Sequence, residues 1–453
     1  GNNSALGTGT FSIGAGTILD TGATAIVNAG NNAQNWNGNF TFTGTSTLNL
    51  GAGTVTLGDN VIATVSAQTL TVGGTIGDGA ATFGLTKSGA GVLILNGANT
   101  YGGLTALTNG NLTLNGNNSG ASGGVTMAAG ATLNIGHANA LGSGTLTLDG
   151  GILNNTSGGT LTLGGNVAQV WNGAFNFLGT NDLVMGAGAV TLGATTLVTV
   201  TAGNLTVNGV IDDGLDTFNV EKNGAGTLTL AALNTYGGVI GLNEGTLVFA
   251  VDQALTSITN ALSLGGFAGS TAAFALDLSA ASARFGGTML VQTDNVTPNT
   301  ITIGAGKTLQ IDRSFTIGYN SAANSTTRLT VSGAGTFKVG DVGAPTNQGF
   351  LVGNGGSSGI SNAATLDLSG LGTFYANLGS GTLRVGDAAN ASGGGSSANG
   401  STLILAADTT IIAATITSDN PTSNAIQRIK LGNGTNVLNA NTITIGVNIG
   451  FGF

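Results

Sequence analysis

Apolar side chains recur at every second position along most of the chain. STLNL, QTLTV, VLILN, NLTLN and TLNIG are typical, with Leu, Val or Ile alternating with Thr, Asn or Ser. Successive side chains of a strand point to opposite faces, so each segment reads as a short strand with one apolar and one hydroxyl/amide face. The first leucines of these segments are Leu48, Leu70, Leu93, Leu112 and Leu133, at gaps of 22, 23, 19 and 21 residues. Gly-Ala-Gly, Gly-Gly, Asn-Gly and Asp-Gly separate them, and such pairs supply the positive φ of tight turns. No stretch carries the 3.6-residue apolar stripe of a helix.

Near-identical strands that return at a fixed spacing predict the coils of a solenoid, because stacked coils place equivalent side chains in ladders. Neighbouring strands of an antiparallel sandwich need not resemble each other. The expected fold is therefore all-β, a right-handed parallel β-helix (β-solenoid) with coils of about 20 residues. At about 4.8 Å per coil the whole chain makes about 21 coils and a rod of roughly 100 Å. Leu48, Leu70, Leu93 and Leu112 are expected to point inward.

A larger repeat contains the smaller one. A single offset of 135 residues carries Trp36 onto Trp171, Tyr101 onto Tyr236 and Gly51 onto Gly186. The chain divides on this pattern into block 1 (1–135), block 2 (136–250) and a more irregular solenoid segment (251–453). That last segment repeats LTVSGAGTF (329–337) as LDLSGLGTF (366–374) and NTITIG (299–304) at 441–446. Its Gly/Ser-rich stretches 355–359 and 391–400 read as flexible loops.

Composition narrows the function. Among 453 residues there are 82 glycines, 3 prolines, one histidine and no cysteine, and 6% are charged. Disulfide scaffolds, thiolate zinc sites and thiol enzymes are excluded. The net charge of -9 argues against nucleic acid, which requires a basic face. No apolar run approaches the ~20 residues of a transmembrane helix. The first residue is Gly1 and no signal segment precedes it, so the chain reads as mature, trimmed or part of a longer protein.

Residues 85–114 read LTKSGAGVLILNGANTYGGLTALTNGNLTL, and 220–249 read VEKNGAGTLTLAALNTYGGVIGLNEGTLVF. Both closely resemble the passenger-associated transport repeat (autotransporter-associated β-strand repeat) of bacterial autotransporters. The likeness includes Lys87 and Lys222, Gly89/Gly91 and Gly224/Gly226, and the Asn-Thr-Tyr triplets ending at Tyr101 and Tyr236. The resemblance implies a parallel β-helix exported to the bacterial surface. It specifies no activity, since passengers include adhesins, enzymes and stalks. No membrane-barrel domain follows in this sequence.

Candidate chemistry is sparse. His137 lies in a Gly/Asn-rich turn and reads as a solvated loop residue. Ser122 in GASGG resembles a serine-protease elbow only loosely, and the sequence offers no triad. A pectin-degrading β-helix would pair aspartates with a basic cluster. Asp212, Asp213 and Asp216 in VIDDGLD, with Arg428-Ile429-Lys430, are fragments of that pattern in the wrong order. The same aspartates have the oxygen ligands calcium takes, but the glycine spacing of a calcium-binding roll is missing. Trp36, Trp171 and the phenylalanines 40, 42, 175 and 177 read as core rather than a sugar platform. Tyr101 and Tyr236 are expected to reach turn backbone through their hydroxyls. Thr-x-Thr pairs at 69–72, 145–148, 227–230, 300–303 and 442–445 read as generic polar faces rather than an ice-binding array.

The sequence thus predicts a non-catalytic extracellular stalk, fibre or adhesin, with no catalytic, cofactor-binding or metal residue. The alternative is a carbohydrate-active β-helix enzyme. Expected partners are copies of the chain itself, joined end to end or laterally, and glycans or other surfaces. Alternating strands run close to both ends without a polar cap, which predicts either a longer solenoid or end-to-end association.

Overall fold

The computed structural model describes residues 6–265, 272–292, 299–318, 326–340, 348–353, 363–386, 400–418, 426–445 and 449–452. The loop at 355–359 and all but the last residue of 391–400 lie outside these. Among the described residues every regular element is a strand. Neighbouring strands pair in parallel throughout, as stacked coils require. The chain forms two compact units, Gly1–Asp212 and Asp213–Phe453.

In the first unit the predicted leucines form one continuous inward column. Ile26, Leu48, Leu70, Leu93, Leu112, Leu133 and Leu153 are successive register partners. From Leu70 to Leu153 the column is completely buried. Each such side chain contributes roughly 1.5–3 kcal/mol by leaving water. The outward neighbours run Asn49, Thr71, Ile94, Thr113, Asn134 and Asn154, so threonine is repeatedly interrupted. Trp36 and Trp171 are fully buried, and each indole Nε1 donates to a buried glutamine, Gln34 or Gln169, at 3.2 Å. Each indole also meets a phenylalanine edge-on, Phe40 or Phe175, at 5.0 and 5.1 Å between centroids.

Part of the glycine content has a cause other than φ. A Cβ on Gly74 would collide with the carbonyl of Gly53, one on Gly97 with that of Gly74, and one on Gly116 with that of Gly97. None of these four glycines has positive φ. They are small because turns stacked at the strand-to-strand spacing bring backbone against backbone. This corrects the reading of the turn glycines as φ suppliers alone, although Gly89 and Gly110, at φ 78° and 69°, do play that part.

The second unit continues the principle with longer coils. Leu329 pairs with Leu366 and Phe337 with Phe374, so the 37-residue sequence repeat is the length of one coil. Phe315, Phe337, Phe374 and Phe350 form a closed ring of ring contacts at 5.7, 5.7, 5.4 and 4.7 Å. The two copies of NTITIG are not structurally equivalent. Ile301 is fully buried, whereas Ile443 is 48% exposed. The first copy pairs with 329–332 and the second with 415–418, which are different positions in a coil.

Candidate functional site

The polar residues of the two similar segments face inward and tie coils together. In Leu85–Ser88, Leu85 and Lys87 share the buried face, and Lys87 is 1% exposed. Its ammonium donates to the carbonyls of Ser88, Gly89 and Asn109 at 3.0, 2.7 and 3.0 Å. Lys222 repeats the arrangement on Asn223, Gly224 and Glu244 at 3.0, 2.6 and 3.0 Å. Each lysine therefore joins the turn after its own strand to the turn one coil further on. Burial pushes both ammonium groups down from 10.5 to about 8. The phase of the alternation already places Lys87 on the face of Leu85; that signal was present in the sequence and pointed to an internal lysine.

Asp78 and Asp213 are equivalent under the 135-residue offset and do equivalent work. Asp78 accepts from the N–H groups of Phe83 and Gly102 at 3.0 and 2.9 Å. Asp213 accepts from Phe218 at 2.9 Å and from Gly237, the latter through both carboxylate oxygens. Asparagines extend the ties. Asn99 Oδ1 accepts from Ile76 N–H, Asn99 N–H donates to Asn118 Oδ1, and Asn118 Nδ2 donates to the Ala140 carbonyl. In the second unit Gln253 takes the place of Asn118, accepting from Asn234 and donating to Ala232. Tyr101 does not reach turn backbone as expected; its hydroxyl bonds the Thr105 hydroxyl. Tyr236 has no hydrogen-bond partner, because the position of Thr105 is occupied by Ile240.

The other sequence candidates do not assemble into a site. His137 Nδ1 accepts from the Asn139 N–H at 3.0 Å, which orders its own turn. Ser122 is exposed, and no hydrogen bond among the described residues joins it to His137. Of the VIDDGLD acids, Asp213 is spent on its loop and Asp216 is exposed. Asp212 ends the strand Ile211–Asp212 and is half-buried. Arg428 and Lys430 project outward from Gln427–Lys430, while Gln427 and Ile429 face in. Lys430 borders a groove of about 410 Å³ with Ser369, Ile404 and Asn433, and no acid lines it. Among the described residues no group of three or more His, Asp or Glu is placed to hold a metal.

A second concavity, of about 180 Å³, is polar. Glu221, Gly241 and Ser263 are register partners on one outward column, and Asn243 and Gln292 border it.

Comparison with protein families matches the passenger-associated-transport-repeat at residues 85–112 and again at 220–249. The chain carries two passenger-associated transport repeats. The matched segments contain both buried lysines and both Asn-Thr-Tyr turns, so the family pattern coincides with the inter-coil ties. These repeats and the parallel solenoid together fit an autotransporter passenger. No curated protein and no solved structure matches the chain.

Proposed function

We propose that the chain is a non-catalytic, surface-exposed passenger that acts mechanically, as a stalk or adhesive rod. The observation that carries this reading is the use of the polar residues in the transport repeats. Lys87, Lys222, Asp78 and Asp213, which could have served chemistry, are committed to backbone groups between coils. A glycosidase needs two carboxyl groups facing a substrate, one free to give a proton and one free to attack or activate water. Asp213 cannot donate a proton while both its oxygens accept from Gly237 N–H. What remains outside is a long, nearly uncharged Thr/Asn/Ser surface, suited to repeated weak contacts with other surfaces or with copies of itself.

The test uses intact cells that produce the protein. Brief treatment with an external protease is expected to release peptides of this chain without lysis, and cells lacking it should lose adhesion or spacing at the surface. Full protection of the chain from protease until the envelope is broken would contradict the reading.

A further inference from the structure

We infer that the notch at Glu221, Gly241 and Ser263 is a binding site for one ring of a neutral sugar chain. The argument begins with the internal duplication. Offset by 135 residues, Glu221 corresponds to Thr86, Gly241 to Ala106, Asn219 to Gly84 and Asn243 to Thr108. The coil frame is the same in both copies: Thr86 pairs with Ala106 as Glu221 pairs with Gly241. The outward residues have changed together, and the changes are coupled. A Cβ on Gly241 would lie 2.9 Å from Glu221 Cγ, so loss of the alanine methyl is what gives the longer acid its room.

The replacement residues are unspent. In the first copy Thr108 Oγ1 is turned back onto the Lys87 carbonyl at 3.0 Å. In the second copy the side chains of Glu221, Asn243, Ser263 and Gln292 make no hydrogen bond among the described residues, and all four are half-buried around the notch. Asn219 is held in place, its Oδ1 accepting from Val239 N–H at 2.8 Å. A structural stalk has no need of such a group; half-burying polar side chains without partners is a cost that a ligand would relieve.

The chemistry selects the ligand. Carboxylate oxygens only accept, while the amides and the hydroxyl both donate and accept. That set matches the vicinal hydroxyls of a sugar ring, with two O–H groups donating to Glu221 and a third exchanging with Asn243, Gln292 or Ser263. The notch is smaller than the roughly 300–1,000 Å³ of drug-sized pockets, which suits a single ring rather than a long stretch of chain. An acidic sugar would bring a second negative charge against Glu221. The single carboxylate gives binding without the acid/base pair of hydrolysis. This inference gives the proposed surface role a ligand class, but the binding itself does not depend on that role.

The experiment is ligand-observed saturation-transfer NMR on the 453-residue chain, with D-glucose, D-galactose, D-mannose and N-acetyl-D-glucosamine as probes and D-glucuronate as the anionic control. Wild type is expected to bind at least one neutral probe, with the glucuronate signal at least tenfold weaker. Gly241→Ala, which refills the notch, and Glu221→Thr, which restores the residue of the first copy, should each weaken the neutral probe at least tenfold. Unchanged far-UV spectra would show that both variants fold; if Gly241→Ala does not, Glu221→Thr alone decides. No neutral probe bound by wild type, equal binding in the folded variants, or glucuronate bound as well as the neutral sugars would each overturn the inference. Binding with breakdown of an oligosaccharide would instead overturn the non-catalytic reading, so the two failures are distinguishable.

Discussion

Two tyrosines at equivalent positions make a natural comparison at the scale of single residues. Tyr101 shares a hydrogen bond with Thr105, and burial pushes its hydroxyl up to about 12. Tyr236 is equally buried without a partner, and burial and the charge of Asp213 both raise its pKa. Tyr101→Phe should therefore destabilise by about 1–2 kcal/mol, since it strands the Thr105 hydroxyl. Tyr236→Phe should be neutral or stabilising, because it removes a polar group whose desolvation nothing offsets. Urea midpoints of the two variants check the pair; an equal loss in both would mean Tyr236 has a partner after all. The lysines give a pH signature. Their folded values are about 8 against an ordinary 10.5, so above about pH 8 the folded chain releases protons that the unfolded chain keeps. The unfolded state then binds more protons, and stability rises with pH, by up to about 1.4 kcal/mol per pH unit for each lysine. The tyrosines reverse the trend near pH 10, where the unfolded chain ionises first. Urea unfolding between pH 7 and 10 should show the rise, and the Lys87→Met/Lys222→Met pair should abolish it.

Elements depend on two spacings, the alternation along a strand and the closeness of stacked turns. Leu93→Asp places a charge in the buried column and should cost about 4–5 kcal/mol or more, enough to unfold the local coils. Thr113→Asp, outward and already an acceptor for Asn134 Nδ2, should cost about 1 kcal/mol or less. Gly97→Ala should cost about 1–3 kcal/mol through the clash with Gly74, despite its ordinary φ. Gly14→Ala, with nothing near its added methyl, should be neutral or slightly stabilising. Thermal midpoints of the four variants test both spacings together. The alternation was fully legible in the sequence, and with it the leucine column and the 37-residue coil. The glycine stacks were not, because a contact along the coil axis leaves no periodic trace within a strand. NTITIG misled for a related reason: six identical residues specify alternation but not which side of a coil they occupy. Lys87 was legible in phase with Leu85, yet its partners are backbone carbonyls, which every residue carries and no sequence motif marks. Gln34 and Gln169 likewise share the inward phase of Trp36 and Trp171, and only the packed core shows why a polar residue belongs there.

For the whole molecule, duplication supplied a frame and the two copies then diverged on their outer faces. The inward ties recur in both transport repeats, while Thr86 and Ala106 became Glu221 and Gly241. A stack whose coils are held by ties every few strands tolerates such outer changes, since each outward residue meets only its neighbours in the adjacent coils. The account's central claim is that polar groups able to do acid/base chemistry are spent on holding coils together, which leaves a surface that binds but does not cleave. The most direct measurement is to incubate the folded chain with a panel of plant and bacterial polysaccharides and follow soluble products by mass spectrometry. The account predicts no product above the level of buffer alone. Oligosaccharide release by wild type that is lost in a folded Asp212→Asn/Asp213→Asn variant would contradict it.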